Sequence, residues 1–335
     1  MRALVLEGPN DFNVLDTYPQ PKAKPGWAVV KVAFCGICGS DLPRFFETGS
    51  YHAHMVLGHE SSGIVYEVTK DSKLKVGTPV AVLPIIPCGT CDGCKTYNEP
   101  FHCRNYQFIG SRNDGCMAEY VLVPESNLFV LKSDSEKDLM SGAFVEPASV
   151  GLHAVRRSGC KSGKALVFGC GAIGLMIASW LKLFGLKVTV VDVREFSLNI
   201  AKKQGFDNYY MFSELPDEKY DYIFEASGSN VVLEKAVSLA QEKSTITLIG
   251  RSQKDTVIPS KLMERFMRGE CNLLGCWGYN NNGEEETLRN GLQNINFESM
   301  ISHLVSLDGV IDALHMMHEK KEDYCKVMID LRKKH

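Results

Sequence analysis

The sequence predicts an α/β protein in two parts: a strand-rich first domain, then a doubly wound parallel sheet. Three observations carry that prediction. Residues 1–150 hold short β-branched runs punctuated by Gly, Pro and Asp. From Lys164 onward, strand-like runs alternate with helix-length apolar segments, the pattern of a parallel sheet covered by helices. A glycine turn lies where the first of those strands meets its helix. The length of 335 residues suits about two domains and is ample for burying a core without a metal. Any metal therefore needs a local reason.

In the first part, residues 29–34, 63–68 and 78–83 read as strands of a barrel-like or open β domain. In the second, strands at 165–169, 187–191, 220–225 and 244–250 alternate with helices at 173–184 and 197–204. The last 50 or so residues mix both characters, as expected of a segment that returns to the first domain. The resulting division is 1–148 completed by 280–335, with 149–279 between them.

Composition excludes several classes of function. The net charge is -3 and the pI about 6.3, and the nearest approach to a basic block is Arg332-Lys333-Lys334, so phosphate-backbone binding has no electrostatic support. The longest uncharged stretch, from Ala165 to Leu181, is cut by three glycines and is shorter than the roughly 20 apolar residues of a membrane span. The apolar run at residues 3–6 is too short for a signal peptide. Twelve cysteines without such a leader, several in Cys-x-x-Cys spacing, read as metal ligands in a reducing, cytoplasmic compartment.

Gly169-Cys170-Gly171-Ala172-Ile173-Gly174 is a Gly-x-Gly-x-x-Gly turn between an apolar strand and an apolar helix. Gly169 makes the turn, Gly171 admits a pyrophosphate, and Gly174 lets the helix pack on the sheet. The helix N-terminus supplies free N–H groups to the phosphates. Asp192 ends the next strand, about 20 residues on, where a carboxylate accepts hydrogen bonds from the adenosine ribose. It would repel a 2′-phosphate, which favours NAD over NADP; Arg194 works against that preference. Ala226, Gly228, Ile249 and Gly250, at later strand ends, are expected to line the same cleft.

Cys88, Cys91 and Cys94, followed by Cys103, give Cys-x2-Cys-x2-Cys-x8-Cys. Four thiolates in one loop close a tetrahedral zinc site with no open position, which is structural; His102 is a rival fourth ligand. A catalytic zinc needs about three protein ligands and an exchangeable position. Cys38, His59 and one carboxylate would supply them, with Glu146 as the acid at the entrance to the second domain.

Taken in order, Gly36-Ile37-Cys38-Gly39-Ser40-Asp41, Gly58-His59-Glu60, the cysteine lobe, Glu146-Pro147 and the glycine turn with Asp192 resemble the medium-chain, zinc-containing alcohol and polyol dehydrogenases. The resemblance spans essentially the whole chain. Within that family, residues 38–44, 108–112 and 150–154 most resemble the galactitol-1-phosphate 5-dehydrogenase branch. The resemblance implies a GroES-like catalytic domain, a Rossmann domain and a homodimer or homotetramer built on the latter. It implies two zinc ions per chain and NAD. The catalytic zinc would be held by Cys38, His59 and Glu146, with Glu60 able to exchange onto it, so the resting carboxylate stays open between the two. The structural zinc would be held by Cys88, Cys91, Cys94 and Cys103. The relay histidine of liver-type enzymes would fall near Pro43 and is absent, which leaves Ser40 as first proton acceptor.

The activity this implies is oxidation of a secondary hydroxyl on a small polyol, with a polyol phosphate such as galactitol 1-phosphate foremost. Arg44 and Arg112 are the candidates for holding a phosphate. Free polyols of the sorbitol or xylitol kind, and threonine-like amino alcohols, are alternatives. A non-enzymatic, zinc-clipped NAD-binding protein is a remote one.

Overall fold

A computed structural model describes residues 1–252 and 255–333; Lys334 of the basic run lies outside them. The chain forms two units, Met1–Glu146 with Met300–His335, and Pro147–Ser299.

The first unit is β-rich. Its largest sheet runs in the order Leu128–Val130, Pro79–Val82, Glu60–Glu67, Trp27–Ile37, Lys326–Asp330, Ile301–Ser306, and Tyr120–Pro124 also pairs with Trp27–Ile37. Trp27–Ile37 is the hub. It is buried along nearly all of its eleven residues, because three antiparallel neighbours use its edges. Its β-branched side chains sit among Val65, Val80, Val123, Val327 and Ile329, all buried. Each such side chain contributes about 1.5–3 kcal/mol by leaving water. A second sheet pairs Ala3–Gly8 with Asp11–Leu15 and Met55–Val56.

The second unit carries a six-stranded, wholly parallel sheet in the order Asn208–Met211, Lys187–Asp192, Lys164–Phe168, Tyr220–Glu225, Ala240–Leu248, Asn272–Gly275. Strand order reverses beside Lys164–Phe168, the place where ligands bind in such sheets. The uncharged stretch divides into that strand and the helix Ala172–Leu183. No helix among the described residues is long and apolar enough to cross a membrane. Trp180, fully buried in the helix, satisfies its indole N–H on the Ala148 carbonyl at 2.8 Å.

The boundaries differ from those read in the sequence. The first segment ends at Glu146, and the chain returns to the first unit at Met300, not at 280. The helix Glu285–Asn294 explains the later return: Leu288 is buried and Gly291 lies against the Trp180 ring. Its apolar face thus belongs to the second unit.

Candidate active site and metal centres

Cys38 follows immediately on the hub strand. A tight turn fixes it: its N–H donates to Asp41 Oδ2 at 3.1 Å, and its carbonyl accepts the Asp41 N–H at 3.0 Å. Asp41, 1% exposed, also places Oδ1 3.5 Å from His59 Nδ1. A carboxylate on one ring nitrogen turns the other towards a ligand. Glu60 opens the neighbouring strand opposite Gly36. A Cβ at position 36 would stand 2.5 Å from Glu60 Oε2, so only glycine leaves the carboxylate its space.

The ligand atoms of Cys38, His59 and Glu60 all lie within 4.8 Å of one another. Glu146 stands outside that set, buried in the first turn of the helix Val145–Ser158. Burial pushes its carboxyl up to about 7, with Glu60 adding to the rise and His59 opposing it. The structure therefore brings both acids to one neighbourhood and places Glu60 nearer to the Cys–His pair. Burial alone would lower the His59 pKa, but Asp41 and Cys38 outweigh it and hold the ring well above its ordinary value. A site that draws positive charge this strongly suits a cation in place of the proton. Ser40 is exposed, and its hydroxyl donates to Cys38 Sγ at 3.2 Å.

Two partners escape sequence reading. Lys326 is buried on the last strand and pairs with the Glu60 carboxylate. No local spacing links residues 266 positions apart. Asp41 lies within the Cys38 motif, but nothing in the motif says that its carboxylate faces His59.

Cys88, Cys91, Cys94 and Cys103 also converge within 4.8 Å. Sγ–Sγ separations of 3.6, 3.9 and 4.0 Å match the edge of a tetrahedron with Zn–S bonds of about 2.3 Å, roughly 3.8 Å. The Cys88 thiol is drawn down to about 5 by hydrogen bonds from the Thr90 hydroxyl and the backbone N–H groups of Thr90 and Cys91. His102 is turned away and pairs with Glu99 at 2.6 Å. The eight-residue spacer before Cys103 therefore brings its thiol to the other three.

In the second unit, Gly169 turns with φ +93°. Gly174 packs so closely that a Cβ would stand 1.7 Å from the Gly169 carbonyl oxygen. Gly171 precedes the helix that Ala172, Ile173 and Gly174 begin. Asp192 accepts the N–H of Cys170 at 2.7 Å and of Arg194 at 2.9 Å, and the Arg194 guanidinium stands 3.7 Å from it. The carboxylate thus also braces the glycine turn. Ala226 and Gly228 frame a second turn, anchored by Glu225, whose carboxylate accepts Ser227 N–H at 2.7 Å and Gly228 N–H at 2.9 Å. Ile249 and Gly250 donate to the Glu225 carbonyl. Glu225 was not singled out from sequence; an acid preceding Ala-Ser-Gly at a strand end was the available signal. A mostly apolar cleft of about 320 Å³ opens beside Phe168, Gly169, Asp192, Val193, Ser227 and Val231. In the loop at 280–282, Asn281 is committed to Ser149 at 3.0 Å.

Arg44 and Arg112 come together in the first unit. Their guanidinium carbons stand 5.3 Å and 4.9 Å from the centre of one ring, Tyr51. Arg112 also lies 4.3 Å over Tyr106, and the nearby Phe108 ring stands 5.5 Å from His59.

Residues 24–133 match the alcohol dehydrogenase GroES-like domain, and residues 172–295 the zinc-binding dehydrogenase family. Galactitol 1-phosphate 5-dehydrogenase of Escherichia coli K12 is 35% identical over 263 residues, 74% of this chain and 75% of that protein. The crystal structure of galactitol-1-phosphate dehydrogenase from Escherichia coli superposes with a TM-score of 0.90 at 29% identity, covering 99% of this chain and 100% of that one. A short chain alcohol dehydrogenase from E. coli CFT073, solved with NADH, superposes at 0.87 with 27% identity over 99% of each chain. With a GroES-like β-rich unit, a Rossmann-type unit and two zinc-competent clusters, this chain belongs to the zinc-containing medium-chain alcohol and polyol dehydrogenases and is an oxidoreductase.

Proposed function

We propose that this protein oxidises a secondary hydroxyl of a polyol phosphate, such as galactitol 1-phosphate, to the ketose with NAD. The observation that carries the phosphate is the convergence of Arg44 and Arg112 on Tyr51, with Arg112 also over Tyr106, whose ring stands 6.4 Å from Phe108, the ring beside His59. The name of the Escherichia coli relative supports the same substrate class.

Cys38, His59 and Glu60 would hold the catalytic zinc, with Glu146 as the exchanging carboxylate, and the four lobe cysteines would hold the structural one. When bound, zinc supplies Lewis acidity to the substrate oxygen and the nicotinamide accepts the hydride. Asp41 keeps the His59 ring in one orientation. The exposed Ser40 hydroxyl is the first acceptor for the proton leaving the substrate and passes it to solvent. The helix Ala172–Leu183 turns its free N–H groups to the pyrophosphate. Asp192 takes the ribose hydroxyls, and the apolar cleft beside Val193 and Val231 suits the adenine.

A homo-oligomer belongs to the same reading. The strand Asn272–Gly275 leaves one edge of the parallel sheet open, with Leu273 and Trp277 exposed, and a second copy would cover it.

An initial-rate screen of NAD and NADP reduction across polyols and polyol phosphates tests the proposal. A kcat/KM at least tenfold higher for the phosphorylated substrate is expected. Equal values for the free polyol would move the reading to a sorbitol- or xylitol-type enzyme. Zinc analysis should give two ions per chain, and a single ion would undermine the catalytic site.

A further inference from the structure

Tyr51 sits in the segment 49–54, its ring 57% exposed, between two cations. Two guanidinium groups on one ring repel each other, and neither has a carboxylate partner among the described ion pairs. Arg112 is fixed more firmly: it stacks on Tyr106, donates to the Tyr106 carbonyl at 3.3 Å, and keeps a buried Nε without a hydrogen-bond partner. Unspent donors on paired guanidinium groups call for an oxyanion. The segment carrying Tyr51 is itself held. The Tyr18 hydroxyl lies 2.9 Å from Asp114 Oδ2 and 3.2 Å from the His54 carbonyl, and its ring stacks on His54 at 5.3 Å. Asp114 also takes the Val56 N–H at 3.0 Å, and Glu7 holds His54 Nδ1 at 2.6 Å.

We infer that Tyr51 is a positioning residue: its ring aligns Arg44 and Arg112 as a clamp for a phosphate group, and the Tyr18–Asp114–His54 anchor sets where that clamp stands. The inference rests on the reading of the substrate as a phosphorylated polyol. The ring's π face attracts both cations and spares each the cost of being ordered when the anion arrives. The phenol oxygen is not needed for this, so phenylalanine should serve.

The test measures binding of inorganic phosphate to the NADH-saturated enzyme, where the pyrophosphate site is filled, alongside turnover of galactitol 1-phosphate and galactitol. Tyr51→Ala should weaken phosphate binding at least tenfold, and should raise KM for the phosphorylated substrate more than for the free polyol at similar kcat. Tyr51→Phe should restore phosphate affinity. Arg112→Lys, which keeps the charge but loses the flat stack, should behave like Tyr51→Ala. Zinc content and the unfolding midpoint report whether each variant is folded. Undiminished phosphate binding in Tyr51→Ala, or equal damage from Tyr51→Phe, overturns the inference, as does a wild-type enzyme that binds no phosphate. A wild-type enzyme that binds phosphate through Tyr51 yet does not prefer the phosphorylated substrate keeps the clamp and removes the proposed substrate.

Discussion

At the scale of single residues, the proposed catalytic centre depends on two groups that carry no ligand atom. Asp41 faces His59 at 3.5 Å and ties down the Cys38 turn. Loss of such an outer partner lowers metal affinity about 10–100-fold. Asp41→Asn protein dialysed against a competing chelator should therefore retain one zinc, that of the cysteine lobe, where wild type retains two. Lys326 neutralises the buried Glu60 carboxylate. Removing one member of a buried ion pair costs about 3–5 kcal/mol. In metal-depleted protein, the urea midpoint of Lys326→Met should fall accordingly; an unchanged midpoint would remove the ion pair from the contacts that stabilise the first unit. Cys38 and His59 are legible because their chemistry is rare and their spacing local. Lys326 is not, since an unremarkable lysine near the C-terminus acquires its meaning only when its strand pairs with the hub.

At the scale of elements, close approach decides what the glycines and strands tolerate. Gly174→Ala would drive a methyl group into the Gly169 carbonyl and push the helix off the sheet. NADH affinity, read by fluorescence titration, should drop at least roughly tenfold, or about 1.4 kcal/mol. The last strand ends in Asp330, which grips Arg332 through two oxygens at 3.0 Å. Burial would raise the Asp330 carboxyl, but the hydrogen bonds from Arg332 outweigh it and hold the group below its ordinary value. The sign follows: this contribution is complete above the ordinary aspartate value of about 3.9 and disappears as pH falls through the depressed one. The melting-temperature gap between wild type and Asp330→Asn should be constant above pH 5 and narrow towards pH 3. The strands Lys164–Phe168 and Tyr220–Glu225 were readable almost to the residue, because each holds a short apolar run, residues 165–168 and 222–224, of the kind buried parallel strands carry. The hub's full length was not. Its edges are set by partners, and one of them, Lys326–Asp330, comes from the other end of the chain.

At the scale of the whole molecule, one unit is contiguous in sequence and the other is interrupted. A chain stopped after Ser299 loses Ile301–Ser306 and Lys326–Asp330, and with them the buried Val310, Leu314, Val327 and Ile329. Such a protein should keep a cooperative, NADH-binding second unit while its first unit loses stability, seen as two separate transitions in calorimetry. The two-part organisation was legible from the change of pattern after Lys164. The return point was not, because the helix Glu285–Asn294 is amphipathic and its sequence alone does not say which core receives its apolar face.

The pairing of Glu60 with Lys326 also orders events during synthesis. The four lobe cysteines emerge within sixteen residues of one another, so that cluster can close while most of the chain is still unmade. The Cys38–His59–Glu60 cluster has its donors early, but the cation that balances Glu60 is translated 266 residues after it. At about 5–20 residues per second, Lys326 follows Glu60 by some 13–53 seconds. Throughout that interval the growing chain carries all four cysteines of the lobe, and Glu60 as an acid without its counter-ion. The four donors of the lobe are thus on the chain long before Glu60 gains its counter-ion, and a chain stopped short of residue 326 holds the cysteine cluster without the buried ion pair.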